Sequence, residues 1–184
     1  MSSVPDIPLH EVAHRPRPMT EADLPRIHRI ELASYEYPWS LGNFADSLKA
    51  GYSMWVCDAG DEVIGYYVLM TAAGEAHLLN LTVEPMWRRH GLGRELLEHC
   101  LARARDHHAD SVFLEVRPSN TAGIGLYHDS GFVDLAVRRG AEAVGGRVLA
   151  ASPRACAAIA VREGEGLVGF VVRKASKQDG LQRV

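Results

Sequence analysis

The run Arg88-Arg89-His90-Gly91-Leu92-Gly93-Arg94 is the stretch of the chain most suited to chemistry: three arginines bracket two glycines. Leu78, Leu79, Leu81 and Val83 before it read as a strand, and Pro85 ends that strand because proline has no N–H to continue a ladder. A helix beginning at the glycines would turn its unpaired N–H groups and the positive end of its dipole into the loop. Such a loop seats phosphate, and glycine lets the backbone approach closely. The same residues also read as an ordinary strand-to-helix turn with solvated arginines. The familiar phosphate motifs do not decide: G-x-x-x-x-G-K-[ST] is absent, and Leu96 stands where G-x-G-x-x-G needs its third glycine.

Other reactive side chains point to less. Cys57, Cys100 and Cys156 are far apart, a sparse and odd count that fits a reduced, cytoplasmic compartment better than a disulfide scaffold. Cys100 shares a helical stripe with Leu92, Leu96 and Ala104, so it reads as core rather than nucleophile. The nine histidines are read as forming no H-x-x-x-H pair and no Cys/His cluster, and His107-His108 as a favourable charge near a helix C-terminus. At 184 residues, 47% hydrophobic and 23% charged, the chain fits one folded domain. A formal charge of −3 gives no global reason to expect nucleic acid as a partner. No apolar run reaches the ~18 residues of a membrane span, and the first residues lack the pattern of a signal peptide.

The elements that must position the loop follow from periodicity and punctuation. Residues 1–14, with Pro5 and Pro8, read as a flexible leader, and residues 12–17 as an edge strand weakened by Pro16. Thr20 with Asp23 three residues on has capping-box spacing ahead of a helix carrying Leu24, Ile27 and Ile30. Tyr35-Glu36-Tyr37-Pro38-Trp39-Ser40 is an aromatic turn, either packing or a wall for an acceptor, and Ser40 can cap a second helix with Leu41, Phe44 and Leu48. Two strands, 52–57 and 63–71, join at the hairpin signal Gly60-Asp61. Residues 75–83 form the strand that delivers the glycine loop. Residues 111–117 are a strand ended by Pro118; Ser119-Asn120 can cap a helix holding Ile124, Leu126 and Tyr127, which Gly131 closes before a strand at 132–137. Gly123 and Gly125 each cost that helix ~1 kcal/mol relative to alanine. The alternation predicts an α/β layer fold with a mixed sheet.

R-R-x-G-L-G-R after an apolar strand resembles motif A of the GNAT acetyltransferases, written Q/R-x-x-G-x-G/A, with Arg89, Gly91 and Gly93 at the defining positions and Arg88 just before them. The blocks L-E-V-R-x-S-N, from Leu114 to Asn120, and L-Y-x-x-x-G-F, from Leu126 to Phe132, extend the resemblance, as does the Pro38-Trp39-Ser40 turn. Together they are similar to the RimI-type branch, whose members acetylate the N-terminal alanine of a ribosomal small-subunit protein. The resemblance covers residues 18–139. It implies a GNAT fold, a mixed central sheet flanked by helices with a splayed strand pair holding coenzyme A, and acetyl-CoA as acyl donor without a metal. It places backbone groups of Leu81, Thr82 and Val83 on the pantetheine arm, and Arg89, His90, Gly91, Leu92, Gly93 and Arg94 on the pyrophosphate.

Glu115 matches the family's general base. Strand alternation alone puts it on one face with Phe113, opposite Leu114 and Val116, so it either faces the slot or lies on a solvated face. Tyr127 matches the general acid that protonates the leaving thiolate, and it also reads as a core tyrosine. Asn120 matches a cofactor contact and equally a helix N-cap. With no positioned Cys/His or Ser/His pair, direct transfer is expected.

Beyond Arg139 the resemblance ends. Residues 157–161 and 167–172 read as a hairpin that replaces the family's last strands, or as an altered C-terminus, even a shifted reading frame, that packs poorly. The expected organisation is a single domain over residues 15–173, with 140–173 divergent and 174–184 a solvated tail. The implied activity is acetyl transfer to a protein N-terminal α-amine, that of a ribosomal protein's N-terminal peptide, with no nucleic acid and no membrane. Acetylation of a small-molecule amine and a non-catalytic acyl-CoA-binding module are the alternatives.

Overall fold

A computed structural model describes residues 14–116, 119–134, 160–161 and 168–173. The chain divides into two compact units: residues 1–70 with 79–103, and residues 71–78 with 104–184.

In the first unit the sheet order is β1-β2-β3-β4. Strand β1, Pro16–Pro18, pairs antiparallel with β2, Ser53–Ala59, matching Pro16 with Cys57 and Pro18 with Trp55. It is shorter than the expected strand and begins at its first proline; prolines are tolerated there because β1 is an edge. Strand β2 turns at Gly60 (φ +61) into β3, Glu62–Ala72. The first helix begins as a 3₁₀ turn over Glu21–Asp23 and continues as α1, Leu24–Ser34. Asp23 Oδ2 accepts the Thr20 N–H at 2.7 Å and the Thr20 hydroxyl at 2.8 Å. Helix α2, Leu41–Lys49, starts at Ser40, whose Oγ accepts the Asn43 N–H at 3.2 Å while Asn43 Oδ1 accepts the Ser40 N–H at 2.9 Å. Ile27, Ile30, Phe44, Val56, Tyr66 and Val68 form one buried cluster, with Phe44 edge-on to Tyr66 at 5.6 Å.

Strand β4, Glu75–Val83, matches its expected bounds. Its buried positions alternate as Ala76, Leu78, Asn80 and Thr82, so a polar pair occupies the inward face at the end that reaches the loop. Helix α3, Leu92–Asp106, buries Leu92, Leu96, Leu97, Cys100 and Ala104 at 1% exposure or less, as its stripe predicts. It sits close on the sheet because β3 presents Gly65: a Cβ there would meet Leu96 Cδ1 at 3.0 Å and Thr82 O at 3.1 Å.

Arg17 ties β1 to α1 and β2. Its guanidinium grips Asp23 with two bonds (2.7 and 3.0 Å) and reaches Asp58. The Arg17 hydrogen bonds hold the Asp23 carboxyl at about 2, below its ordinary 3.8. A carboxyl depressed on folding stabilises fully above its unfolded pKa and loses that contribution as pH falls through the folded one. Chemical denaturation of the protein and of Arg17→Gln should therefore differ most near neutral pH, and the gap should close between about pH 4 and pH 2. A gap of constant size down to pH 2 would assign the effect to packing.

In the second unit the order is β4-β5-β8-β6, with β7 also on β8. Strand β5, Ser111–Val116, runs parallel to β4 in a register that ends at Leu78 opposite Leu114. Beyond that register β4 continues to Val83 and β5 to Val116. Helix α4, Thr121–Asp129, closes with Gly131 at φ +84: Gly131 N–H bonds His128 O and Phe132 N–H bonds Tyr127 O, both at 2.9 Å, a Schellman cap. Gly123 has a local reason: a Cβ there would fall 2.7 Å from Asn120 Nδ2 and displace the capping side chain. Strands β6 (Val133–Asp134), β7 (Ala160–Val161) and β8 (Val168–Arg173) complete this sheet. β7 pairs antiparallel with β8, and β8 lines the whole of β5 from Ser111/Arg173 to Val116/Val168. Strands β7 and β8 thus supply sheet strands, while residues 135–137 of the expected strand at 132–137 and the expected tail lie outside the described residues.

Candidate active site

The basic glycine loop folds as anticipated, with one change in who does what. Glu84 N–H closes the β3–β4 ladder on Ile64 O at 2.9 Å, and Pro85–Trp87 then makes a single 3₁₀ turn. Arg88 rather than Arg89 stands three residues before Gly91 and so opens the Q/R-x-x-G-x-G/A pattern, and it is occupied structurally: Nε donates to Val83 O at 3.0 Å and Nη2 to Ser34 Oγ at 2.9 Å. Arg89 (φ +69) and Gly91 (φ +91) both take the left-handed conformation. At Gly91 glycine is required by conformation, since a Cβ would meet open space. The first helical N–H groups to bond are those of Arg94 and Glu95, both to Gly91 O at 2.9 and 3.2 Å. Among the described residues the N–H groups of Arg89, His90, Gly91, Leu92 and Gly93 take no acceptor. Unpaired N–H groups in alternating conformations at a helix start form an anion-binding concavity. The side chains of Arg89, His90 and Arg94 are exposed around it.

Strand geometry separates the three residues assigned to the pantetheine arm. N–H and C=O groups alternate sides along a strand. The bond from Glu84 N–H to Ile64 therefore puts the main chain of Thr82 on the β3 side and those of Leu81 and Val83 on the opposite side. Val83 O is taken by Arg88, and Leu81 O lies 3.4 Å from the Tyr35 hydroxyl. Thr82 is 2% exposed, its hydroxyl inside a buried network.

That network was missed from sequence. Glu31, 2% exposed, accepts from Tyr66 O–H, from Trp39 N–H (3.0 Å) and from Asn80 Nδ2 (3.2 Å to each oxygen). Asn80 Oδ1 accepts from the Thr82 hydroxyl at 2.7 Å, and Tyr35 OH lies 2.9 Å from Thr82 Oγ1. Burial pushes the Tyr35 and Tyr66 phenols up, so both keep their protons. The signal was present: Glu31 follows Leu24 and Ile27 on the apolar stripe of α1, and Asn80 and Thr82 share strand parity with Ala76 and Leu78.

The second unit holds Glu115, Asn120 and Tyr127. Glu115 is the exposed residue in an otherwise buried run of β5, opposite Gly169 on β8. Asn120 caps α4, its Oδ1 accepting the Gly123 N–H at 2.9 Å. Tyr127 is 7% exposed, its ring 5.6 Å from Phe132.

The cysteines do not compete for a catalytic role. Burial pushes the Cys57 thiol up to about 12 and Cys100 higher still, so neither offers a thiolate near neutrality; Cys156 lies outside the described residues. The described residues hold no group of three or more His, Cys, Asp or Glu arranged for a metal. The reading that no H-x-x-x-H pair is present is wrong, because His10-Glu11-Val12-Ala13-His14 is one; its first four residues lie outside the described ones, and His14 Nε2 sits 2.7 Å from Glu95 Oε2. No helix among the described residues is long and apolar enough to cross a membrane.

The profile of the Acetyltransferase (GNAT) family matches residues 24–132, more than half of the chain. The [ribosomal protein bS18]-alanine N-acetyltransferase of Escherichia coli K12 is 34% identical over 117 residues, 64% of this chain and 79% of that protein. Its Salmonella typhimurium counterpart is 34% identical over 121 residues, 66% of this chain and 82% of that one. Among solved structures, the ribosomal-protein-S18-alanine N-acetyltransferase from Escherichia coli superposes with a TM-score of 0.70 at 24% identity, covering 92% of this chain and 99% of that chain. Ard1 from Thermoplasma volcanium gives 0.71 at 22% identity, over 90% and 100%. The chain belongs to the GNAT acetyltransferase family, and it has that family's fold.

Proposed function

We propose that the chain is a single-domain enzyme over residues 15–173 that moves the acetyl group of acetyl-CoA to a protein N-terminal α-amine, that of an N-terminal alanine on a ribosomal small-subunit protein. The observation that carries the acyl-donor half is the run of unpaired N–H groups from Arg89 to Gly93 ahead of α3, opened by two left-handed residues. The acceptor half is supported by the similarity to relatives named for that alanine. Buried free thiols at Cys57 and Cys100 fit a reducing compartment, and we assign the reaction to the cytoplasm.

Coenzyme A supplies the activated thioester. The N–H groups of Arg89, His90, Gly91, Leu92 and Gly93 hold the pyrophosphate, with Arg89 and Arg94 adding charge at the rim. On β4, Leu81 and Val83 offer main-chain N–H groups on the side away from β3, and Thr82 fixes that stretch through its buried hydroxyl. An α-amino group has a pKa of ~7.7–8.0, so most of it is protonated at neutral pH and must lose a proton before attack. Glu115, exposed on β5, takes that proton directly or through water. Tyr127 donates its hydroxyl proton to the departing sulfur. Asn120 holds the start of α4, the helix that carries Tyr127. No protein thiol enters, so transfer is direct.

A panel of acceptors tests the assignment. A peptide beginning with alanine should show kcat/KM at least about 100-fold above small-molecule amines such as spermidine or free alanine, as expected if the acceptor is the one for which the relatives are named. A small amine outranking every peptide would replace the protein acceptor with a small-molecule one. Tight coenzyme A binding with no turnover on any acceptor would leave a binding module.

A further inference from the structure

The polar network around Glu31 is larger than a fold needs and has a direction. Thr82 has one hydroxyl proton, and at 2.7 Å it goes to Asn80 Oδ1. Thr82 Oγ1 is therefore the acceptor in its 2.9 Å contact with Tyr35, whose hydroxyl donates. Asn80 passes on an amide N–H to Glu31, which also collects the Tyr66 hydroxyl and the Trp39 N–H. The shortest bonds of the chain run from Tyr35 through Thr82 and Asn80 to one carboxylate, and hydrogen bonds aligned this way strengthen one another. The far end is Tyr35, partly exposed, whose hydroxyl donates chiefly to Thr82 Oγ1 and more weakly, at 3.4 Å, to Leu81 O, leaving oxygen lone pairs on both Tyr35 and Leu81 as acceptors.

A buried carboxylate is costly unless its oxygens are fully satisfied. Here the satisfied carboxylate joins segments that a packed leucine could not hold in register. Trp39 N–H belongs to the aromatic turn between α1 and α2. Asn80 and Thr82 belong to the end of β4 that leads to the glycine loop. We propose that Glu31 is a positioning residue that locks the Pro38-Trp39-Ser40 turn to the Leu81 stretch of β4, so that Tyr35 and Leu81 present acceptor oxygens to the N–H groups of an incoming amine. The ligand chemistry is a primary amine or ammonium followed by a peptide N–H: donors for a site whose outward atoms are acceptors. This rests on the acetyl-transfer reading for its consequence, but the locking itself does not.

Two readouts on the full chain separate the two. Glu31→Gln keeps the shape but places an amide N–H where the network supplies only donors. Amide exchange at Trp39 should accelerate at least about tenfold, with the Ile27 amide in α1 unchanged, and KM for an alanine-initiated peptide should rise about tenfold while KM for acetyl-CoA stays within about twofold. Tyr35→Phe, at the partly exposed end, should leave Trp39 exchange alone and raise the peptide KM about fivefold. Wild-type exchange at Trp39 in a folded Glu31→Gln would overturn the proposal, as would peptide and acetyl-CoA KM values that stay unchanged or rise together. If Glu31→Gln does not fold, Tyr35→Phe decides: an unchanged peptide KM refutes the role. If the wild type acetylates no peptide, the acceptor assignment has failed, and Trp39 exchange alone then decides the positioning.

Discussion

Tyr127→Phe is expected to lower kcat about 10²- to 10³-fold while KM for acetyl-CoA stays within about twofold. The ring is buried at 7% exposure and tilted against Phe132, and phenylalanine preserves both contacts. What disappears is one O–H at the end of α4. A general acid acts only as the carbon–sulfur bond breaks, so its loss appears in turnover rather than in ground-state binding. Rapid-quench kinetics with saturating peptide would read the loss in the chemical step. Turnover unchanged in a folded variant would make Tyr127 a packing residue, the role its burial alone suggests.

Gly91→Val should act on the other substrate. Gly91 sits at φ +91, a region β-branched residues scarcely enter, and a left-handed residue with a side chain costs roughly 1–2 kcal/mol. The carbonyl of Gly91 also receives the first two helical bonds of α3, from Arg94 and Glu95. Relieving the strain therefore rotates the very N–H groups assigned to pyrophosphate. KM for acetyl-CoA should rise at least about tenfold, with a smaller effect on KM for peptide, as calorimetric titration with coenzyme A would check. Wild-type coenzyme A affinity in a folded Gly91→Val would remove the loop from the binding site.

The sequence was most legible where local rules act alone. Glycine, proline and capping residues marked the turn at Gly60, the start of α2 at Ser40, the bounds of β4 and the closure of α4 at Gly131. The stripe of α3 foretold its buried face, including Cys100. The loop's shape was legible too, but the division of labour among its arginines was not. Arg88 bonds Ser34, fifty-four residues away in sequence, and no local pattern encodes that partner. The Glu31 network was hidden for the same reason: it gathers side chains from α1, β3 and β4, and each alone reads as a tolerable polar residue. Gly65 and Gly123 looked like weaknesses or went unnoticed, because only the fold places Leu96 and Asn120 against them. The roles of Glu115 and Tyr127 came from resemblance, since an exposed strand carboxylate and a buried helix tyrosine each have an ordinary structural explanation.

The most direct test of acetyl transfer is mass spectrometry of a peptide with a free N-terminal alanine after incubation with the protein and acetyl-CoA carrying a ¹³C-labelled acetyl group. One labelled acetyl on the α-amine, localised by fragmentation and greatly diminished with Tyr127→Phe, is the predicted result. A peptide recovered unmodified, from protein that binds coenzyme A and retains its fold, would contradict the assignment of this chain as an N-terminal alanine acetyltransferase.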